Sequence, residues 1–449
     1  MTLPLVRAIY SLGVLATSPG VLTYLTWRAL VQKKELSLAE RFGRVKARGP
    51  APGGRVWVHS VSAGEAAAAS PVLRALKQQR PEVELLVSTT TSAGWEMAQR
   101  LAPEGTQLQA YPVDWGFCVE PSLSRSQPDV VVLVELEIWP NFIEAARRRG
   151  IPVMLISGRI SDRGIRRAVR VRPWMEWALT LLSFLGMQTK ADAERALRLG
   201  ARPKYVHVLG NTKFDEESGP LPVEEVLALR ESLGLTPEID LLLAGSTRPG
   251  EEKALLEAYS LLRRRHSTVR LALAPRHLER TSEVQSLVES AGFRPVLRSK
   301  GAVEEPLGPD SVLVLDTMGE LARLYAAATL SFVGGSLVPI GGHNLLQPVA
   351  QGVPVLFGPH TENSRDVTAL LLQKGVGIRV KDAGEIAQVA GRLLSSPDEL
   401  PALRGRCLET LEENRGASSR YAAEILRLMD DHRERTGRLS KASARPASL

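Results

Sequence analysis

Short runs dense in aliphatic and β-branched residues recur along the chain, separated by stretches whose apolar residues return every three or four positions. In the first half the runs are RVWVHSV, VELLVST, DVVVLVE, IPVMLIS, LSFLGMQT and YVHVLG, with amphipathic segments such as NFIEAARRRG and ADAERALRLGA between them. The alternation restarts with DLLLAGST, VRLALAP, SVLVLD, LSFVGG and VPVLFG, spaced by EEKALLEAYSLLRRR, HLERTSEVQSLVESAG and GELARLYAAA. Near-continuous apolar strands spaced by helices predict parallel sheets covered on both faces. The pattern is that of an α/β chain with two doubly wound, Rossmann-like domains facing a cleft. In such sheets ligands bind beyond the carboxyl ends of the strands.

The ends and joints break this rhythm. Residues 8–27 carry no charge, and about 20 residues suffice to cross a bilayer core, although Gly13, Pro19 and Gly20 interrupt the stretch. Arg28, Lys33, Lys34, Arg41, Arg44, Lys46 and Arg48 follow it and only Arg7 precedes it, so the positive-inside rule puts the body of the protein in the cytoplasm. The boundaries read as a membrane-associated helix over 1–35, a first domain over 36–215, a linker over 216–238, a second domain over 239–430 and a disordered basic tail over 431–449. Whether 8–27 spans the membrane or lies in its interface stays open. Two cysteines, Cys118 and Cys407, provide neither a disulfide framework nor a zinc cluster. The net charge of +8 favours anionic partners such as lipid or phosphorylated substrates. Few aromatics and no basic-aromatic module argue against nucleic acid. The sequence names no protein partner.

Candidate chemistry lies where runs end. In HSVSAGE, Ser62 and Gly64 lead to Glu65 in a first helical turn, a general-base candidate whose ionised form the helix terminus favours. In VELEIWPN, Glu135 and Glu137 end the most apolar run and, as strand residues, would share a face. LGNTKFD supplies Lys213, a point charge for a phosphate or a developing oxyanion. In the second half, Pro275, Arg276 and His277 close one strand, and Met318, Gly319 and Glu320 open a helix after another. The stretch 331–359 holds the pairs Gly334-Gly335 and Gly341-Gly342 with Ser336, His343, Asn344 and Gln347. Glycine pairs allow close backbone approach, so a nucleotide site is expected there, with Asn344 capping the next helix. Neither a P-loop nor G-x-G-x-x-G spacing occurs, which argues against a Walker NTPase or a dehydrogenase.

Taken in order, AERFGR, WVHSVSAGE, ELEIWPN, GNTKFD, GSTRPGEE, APRHLER, DTMGEL and FVGGSLVPIGGHNLLQPVA resemble the lipopolysaccharide Kdo transferases (Kdo is 3-deoxy-D-manno-octulosonic acid). The resemblance implies a GT-B glycosyltransferase anchored at the cell inner membrane with its catalytic domains on the cytoplasmic side. It implies an inverting transfer of Kdo from CMP-Kdo to a lipid A precursor of the lipid IVA type, with no metal or other cofactor. The first domain would bind the acceptor and the second the CMP-sugar. Glu65 matches the general base, and Glu135 and Lys213 match transition-state stabilisers. Pro275-Arg276, Met318-Gly319-Glu320 and Asn344-Leu345-Leu346-Gln347 match the CMP-binding segments, with Ser62, Gly64, His277, Gly335, Ser336 and His343 as secondary candidates. Where the family carries Asn-x-x-Glu, this chain has Gln347, which weakens a charge-assisted bond of ~1.5–3 kcal/mol to a neutral one of ~1 kcal/mol. Other readings open at this stage are another GT-B transferase or epimerase using a UDP-sugar, and a non-catalytic membrane-associated nucleotide-sugar-binding protein.

Overall fold

The structure is a computed structural model that describes residues 3–27, 36–303 and 305–438. Two compact units form, one from residues up to Glu216 together with those from Asn414 onward, the other from Glu217 to Glu413.

The first unit carries seven parallel strands: β1 (Arg55–His59), β2 (Glu84–Thr89), β3 (Gln107–Ala110), β4 (Val130–Val134), β5 (Val153–Gly158), β6 (Phe184–Met187) and β7 (Val206–Val208). Their order is β3-β2-β1-β4-β5-β6-β7, so the direction of winding reverses between β1 and β4. The central strand β4, VVVLV, is wholly aliphatic because both faces are covered. Along β1, Trp57 enters one core with Phe142 and Leu155, while Val56 and Val58 enter the other. That is the period-two alternation of a strand, with apolar residues sent to both faces.

The second core is sealed by a helix from the end of the chain, Ala417–Arg435, whose Tyr421, Ile425 and Met429 share that core with the helix Ala63–Gln79 and with β1 and β4. Polar contacts fix it there. Arg80 forms a two-pronged ion pair with Asp430 at 2.7 and 2.8 Å, and Arg433 donates to the carbonyls of Ala51 and Pro52. The sequence reading therefore needs correcting. Residues 417–430 belong to the first unit rather than to the second domain, and 431–435 continue the helix instead of beginning a disordered tail. Residues 439–449 lie outside the described residues.

The second unit repeats the plan with β8 (Asp240–Thr247), β9 (Val269–Pro275), β10 (Arg294–Leu297), β11 (Ser311–Val314), β12 (Leu330–Val333), β13 (Val355–Phe357) and β14 (Gly377–Arg379). The parallel order is β10-β11-β9-β8-β12-β13-β14, reversing between β8 and β12. Two Rossmann-like sheets are thus established. The stretch read as a linker contains a helix, Val223–Ser232, that belongs to this unit. Its Arg230 donates to the carbonyls of Ala327, Thr236 and Ile239.

An N-terminal helix spans Leu3–Trp27, and its segment Leu5–Trp27 has a mean hydropathy of 1.4, long and apolar enough to cross a membrane. Its early turns rest on the first unit. Val6 is buried, Tyr10 donates to Asp114 at 2.6 Å and lies against Trp174 and Trp177, and Arg7 pairs with Glu144 at 2.8 Å. Leu5, Ile9, Leu12, Leu22, Tyr24 and Trp27 remain exposed. The outer parts of the 1–35 anchor, 1–2 and 28–35, lie outside the described residues.

Candidate active site

In the first unit, β1 runs through Ser60 and Val61 into the helix Ala63–Gln79. Ser62 caps that helix. Its Oγ accepts from the Glu65 N–H at 3.3 Å and donates to Glu65 Oε1 at 2.9 Å, while the Val61 N–H donates to Oε2 at 2.7 Å. This is a reciprocal capping box whose returning carboxylate reaches one residue beyond the cap. It fixes the Glu65 carboxylate in one orientation. A Cβ at Gly64 would meet only Ser62 Oγ, at 3.9 Å.

Glu65 is 9 % exposed, and burial raises its pKa. The bonds from Val61 and Ser62 oppose that rise, and the charge of Glu135 adds to it. The expected preference of a helix terminus for the ionised form is outweighed by desolvation. The result is a more basic carboxylate than an ordinary glutamate.

Glu135 follows β4 with φ of +59°, a left-handed conformation unusual outside glycine, while its N–H still bonds the Ile156 carbonyl at 2.9 Å. The chain turns here, so Glu135 and Glu137 are not alternate residues of one strand as their spacing predicts. Glu137 accepts from Trp139 Nε1 at 3.2 Å. Burial, then the Glu65 charge, pushes its pKa up to about 7, against the pull of the Trp139 bond. Three carboxyl groups therefore share one field at the ends of β1 and β4. Beneath them His59 is fully buried and stacked on Tyr111 with ring centroids 3.6 Å apart, and burial lowers its pKa to about 3. It is a neutral wall.

Lys213 lies in the short 3-10 helix Thr212–Asp215, where Asn211 Oδ1 accepts its N–H at 3.0 Å. Thr212 donates to the Ala68 carbonyl at 2.8 Å and bonds Ser157 at 3.1 Å, tying this segment to the helix that carries Glu65. Among the described residues Lys213 makes no ion pair. Glu65, Glu135 and Lys213 thus sit on the carboxyl-end side of one sheet, with Ser62 and Gly64. A cavity of about 930 Å³ in the same unit, lined by Arg147, Phe184, His207 and Arg420 among others, contains none of them.

The second unit carries the other set. Pro275 ends β9, with Arg276 and His277 exposed beyond it. Met318 is 78 % exposed, Gly319 takes φ of +87°, and Glu320 accepts from Thr317 Oγ1 at 2.8 Å. Asn344 donates to Glu217 at 2.7 Å and accepts from the Leu346 N–H at 2.9 Å. It serves the start of the helix Leu346–Ala350 from just outside, with Leu345 at the cap position. Leu345 and Leu346 are each 1 % exposed and offer packing rather than side-chain contacts. Gln347 is half-buried on the first turn of that helix.

Gly335 and Ser336 differ from expectation. Their N–H groups, and that of Leu337, all donate to the buried carboxylate of Glu251, at 2.7, 2.9 and 2.9 Å. These amides are occupied from within. Pattern reading missed Glu251, which resembles an ordinary first-turn carboxylate, and Arg248, whose guanidinium bonds His343 Nε2 at 3.2 Å and His277 Nε2 at 2.6 Å. Both lie in the quoted segment GSTRPGEE, but its spacing gave no role to either side chain. Among the described residues no three His, Cys, Asp or Glu side chains are grouped to hold a metal ion.

Comparison with known proteins adds a family to this geometry. Residues 36–216 match the family model described as 3-deoxy-D-manno-octulosonic-acid transferase (kdotransferase). A 3-deoxy-D-manno-octulosonic acid transferase of Bordetella pertussis is 34 % identical over 427 residues, covering 92 % of this chain and 97 % of the relative. The Haemophilus influenzae protein of the same name is 31 % identical over 402 residues, covering 89 % and 92 %. Among solved structures, the UDP-GlcNAc 2-epimerase of Neisseria meningitidis superposes with a TM-score of 0.56 at 14 % identity, over 83 % of this chain and 99 % of that one. At that identity the likeness concerns the fold, two Rossmann-like domains of GT-B type.

Proposed function

The chain belongs to the 3-deoxy-D-manno-octulosonic acid transferase family and is a glycosyltransferase, and from that premise we propose that it moves Kdo from CMP-Kdo to a lipid A precursor of the lipid IVA type, with inversion and with Glu65 as general base. The observation that carries this reading is the setting of Glu65. It is a buried, raised-pKa carboxylate clamped by Val61 and Ser62, with Lys213 on the same side of the sheet.

In the proposed step the acceptor is held by the first unit and CMP-Kdo by the second. Glu65 takes the proton of an acceptor sugar hydroxyl as that oxygen forms a bond to the anomeric carbon of Kdo. The bond from that carbon to the CMP phosphate oxygen breaks, and CMP leaves with the electron pair. Attack from the face opposite the leaving group inverts the centre. Glu135 offsets positive oxocarbenium character, and Lys213 offsets negative charge on the donor. No step needs a metal or cofactor. The donor assignment is tested by titrating the detergent-solubilised protein with nucleotides. CMP is expected to bind and UDP to bind at least tenfold more weakly; the reverse preference would move the protein to UDP-sugar chemistry.

We also propose attachment to the cytoplasmic face of the inner membrane through the N-terminal helix, in support of which its outward side exposes Leu5, Ile9, Leu12 and Leu22. Removing residues 1–30 is expected to move the protein from the membrane pellet to the supernatant. Retention in the pellet would assign attachment to another surface.

A further inference from the structure

The loop after β12 has the form of an anion cradle, with three consecutive amides pointing to one spot, yet it already holds an anion. Glu251 is fully buried, and its two oxygens accept from Gly335, Ser336 and Leu337 and, at 2.9 Å, from the Arg248 N–H. A phosphate cannot use these donors without meeting a carboxylate at the same place. The loop is a structural nest filled by the protein itself.

Positive charge gathers beside it. Arg248 donates through Nε to His343 Nε2 at 3.2 Å and through Nη1 to His277 Nε2 at 2.6 Å. A guanidinium only donates, so in both contacts the imidazole Nε2 is the acceptor. For His343 this acceptor role agrees with a pKa lowered to about 4, first by burial and then by the positive charges of Arg248 and Arg276. Gly335 lets the loop pass close to this group, since a Cβ there would come within 2.9 Å of the His343 ring. Among the described residues neither Arg248 nor Arg276 pairs with a carboxylate. Two imidazoles therefore fix the direction of the Arg248 fork without cancelling its charge, which a carboxylate in either place would do.

We infer that Arg248 binds the phosphate of the nucleotide-sugar donor, presented by His343 and His277 as positioning residues, and that the amides of Gly335 and Ser336 take no part. This deepens the donor reading above and rests on it. The Arg248 fork matches two phosphate oxygens, and among the described residues its remaining side-chain N–H donors have no partner.

The test compares CMP with cytidine, which lacks the phosphate, by calorimetric titration of the full detergent-solubilised chain. In the wild type, CMP is expected to bind more tightly than cytidine. Arg248→Gln should lose about tenfold or more in CMP affinity and leave cytidine affinity unchanged, which also certifies the variant's fold. His343→Leu should lose most of the same phosphate-dependent increment, while His343→Gln, which keeps an acceptor for Arg248 Nε, should retain much of it. A merely structural role would weaken CMP and cytidine together. Equal CMP affinity in wild type and Arg248→Gln would overturn this assignment and leave the donor reading intact. Wild-type protein that binds neither ligand would overturn both.

Discussion

Glu65→Gln is expected to lower the transfer rate by about 10²–10⁴-fold, the usual contribution of a positioned base, while CMP affinity stays within about twofold. The substitution is nearly isosteric. A glutamine carbonyl can still accept from Val61 N–H, so the cap and the fold survive, and only proton acceptance is lost. CMP affinity is untouched because its proposed contacts all belong to the other unit. Rates are measured by single turnover with CMP-Kdo and acceptor; substantial transfer by this variant would remove Glu65 as the base. A pH consequence follows from the same geometry. Burial and Glu135 raise the Glu65 pKa, so activity is lost as pH falls through a value above the usual ~4.3 of a glutamate. Glu135→Gln deletes one of the raising charges. Whatever it does to the maximal rate, the acid limb of kcat/KM should move to lower pH, and an unmoved limb would separate the two carboxylates.

Glu251→Ala is expected to be the most damaging substitution to stability in the second unit. It strands four backbone N–H donors, those of Arg248, Gly335, Ser336 and Leu337, in a site where the carboxylate is fully buried. Each unpaired buried donor costs about 1–3 kcal/mol, although loop rearrangement and entering water reduce the sum, so a loss of ~3 kcal/mol or more is expected. Glu251→Gln should fall between, because its amide group turns two donors towards donors. Urea unfolding followed by hydrogen exchange in residues 240–358 reads the effect where it arises. An unchanged midpoint for Glu251→Ala would mean that the loop does not depend on this carboxylate.

The central strands were legible because burial on both faces demands continuous apolar runs, as in DVVVLV and DLLLAG. Three strands escaped notice: β3, β10 and β14, with sequences QLQA, RPVL and GIR. All three are edge strands with one neighbour, so less of their surface is buried and polar residues are tolerated. The last helix was assigned to the wrong unit for a different reason. Asp430, His432 and Arg433 look like the start of a solvated tail, and their partners Arg80, Gly150, Ala51 and Pro52 lie hundreds of positions away.

At the sites, ordered sequence segments located the loops but not the work of each side chain. Nothing in ELEIWPN signals that Glu135 takes a left-handed conformation, because that is imposed by the turn out of β4. Leu345 and Leu346 belong to a matching segment, yet their side chains fill the core. Arg248 and Glu251 are separated by two residues and divide the charge of one loop between them, a relation visible only in three dimensions.

The most direct measurement is the mass of the lipid product formed when the purified, detergent-solubilised protein meets CMP-Kdo and a tetra-acylated lipid A precursor. The account predicts a gain of one or more Kdo units on the lipid, with CMP released in equal number. Unchanged lipid in a folded protein that binds CMP would contradict it.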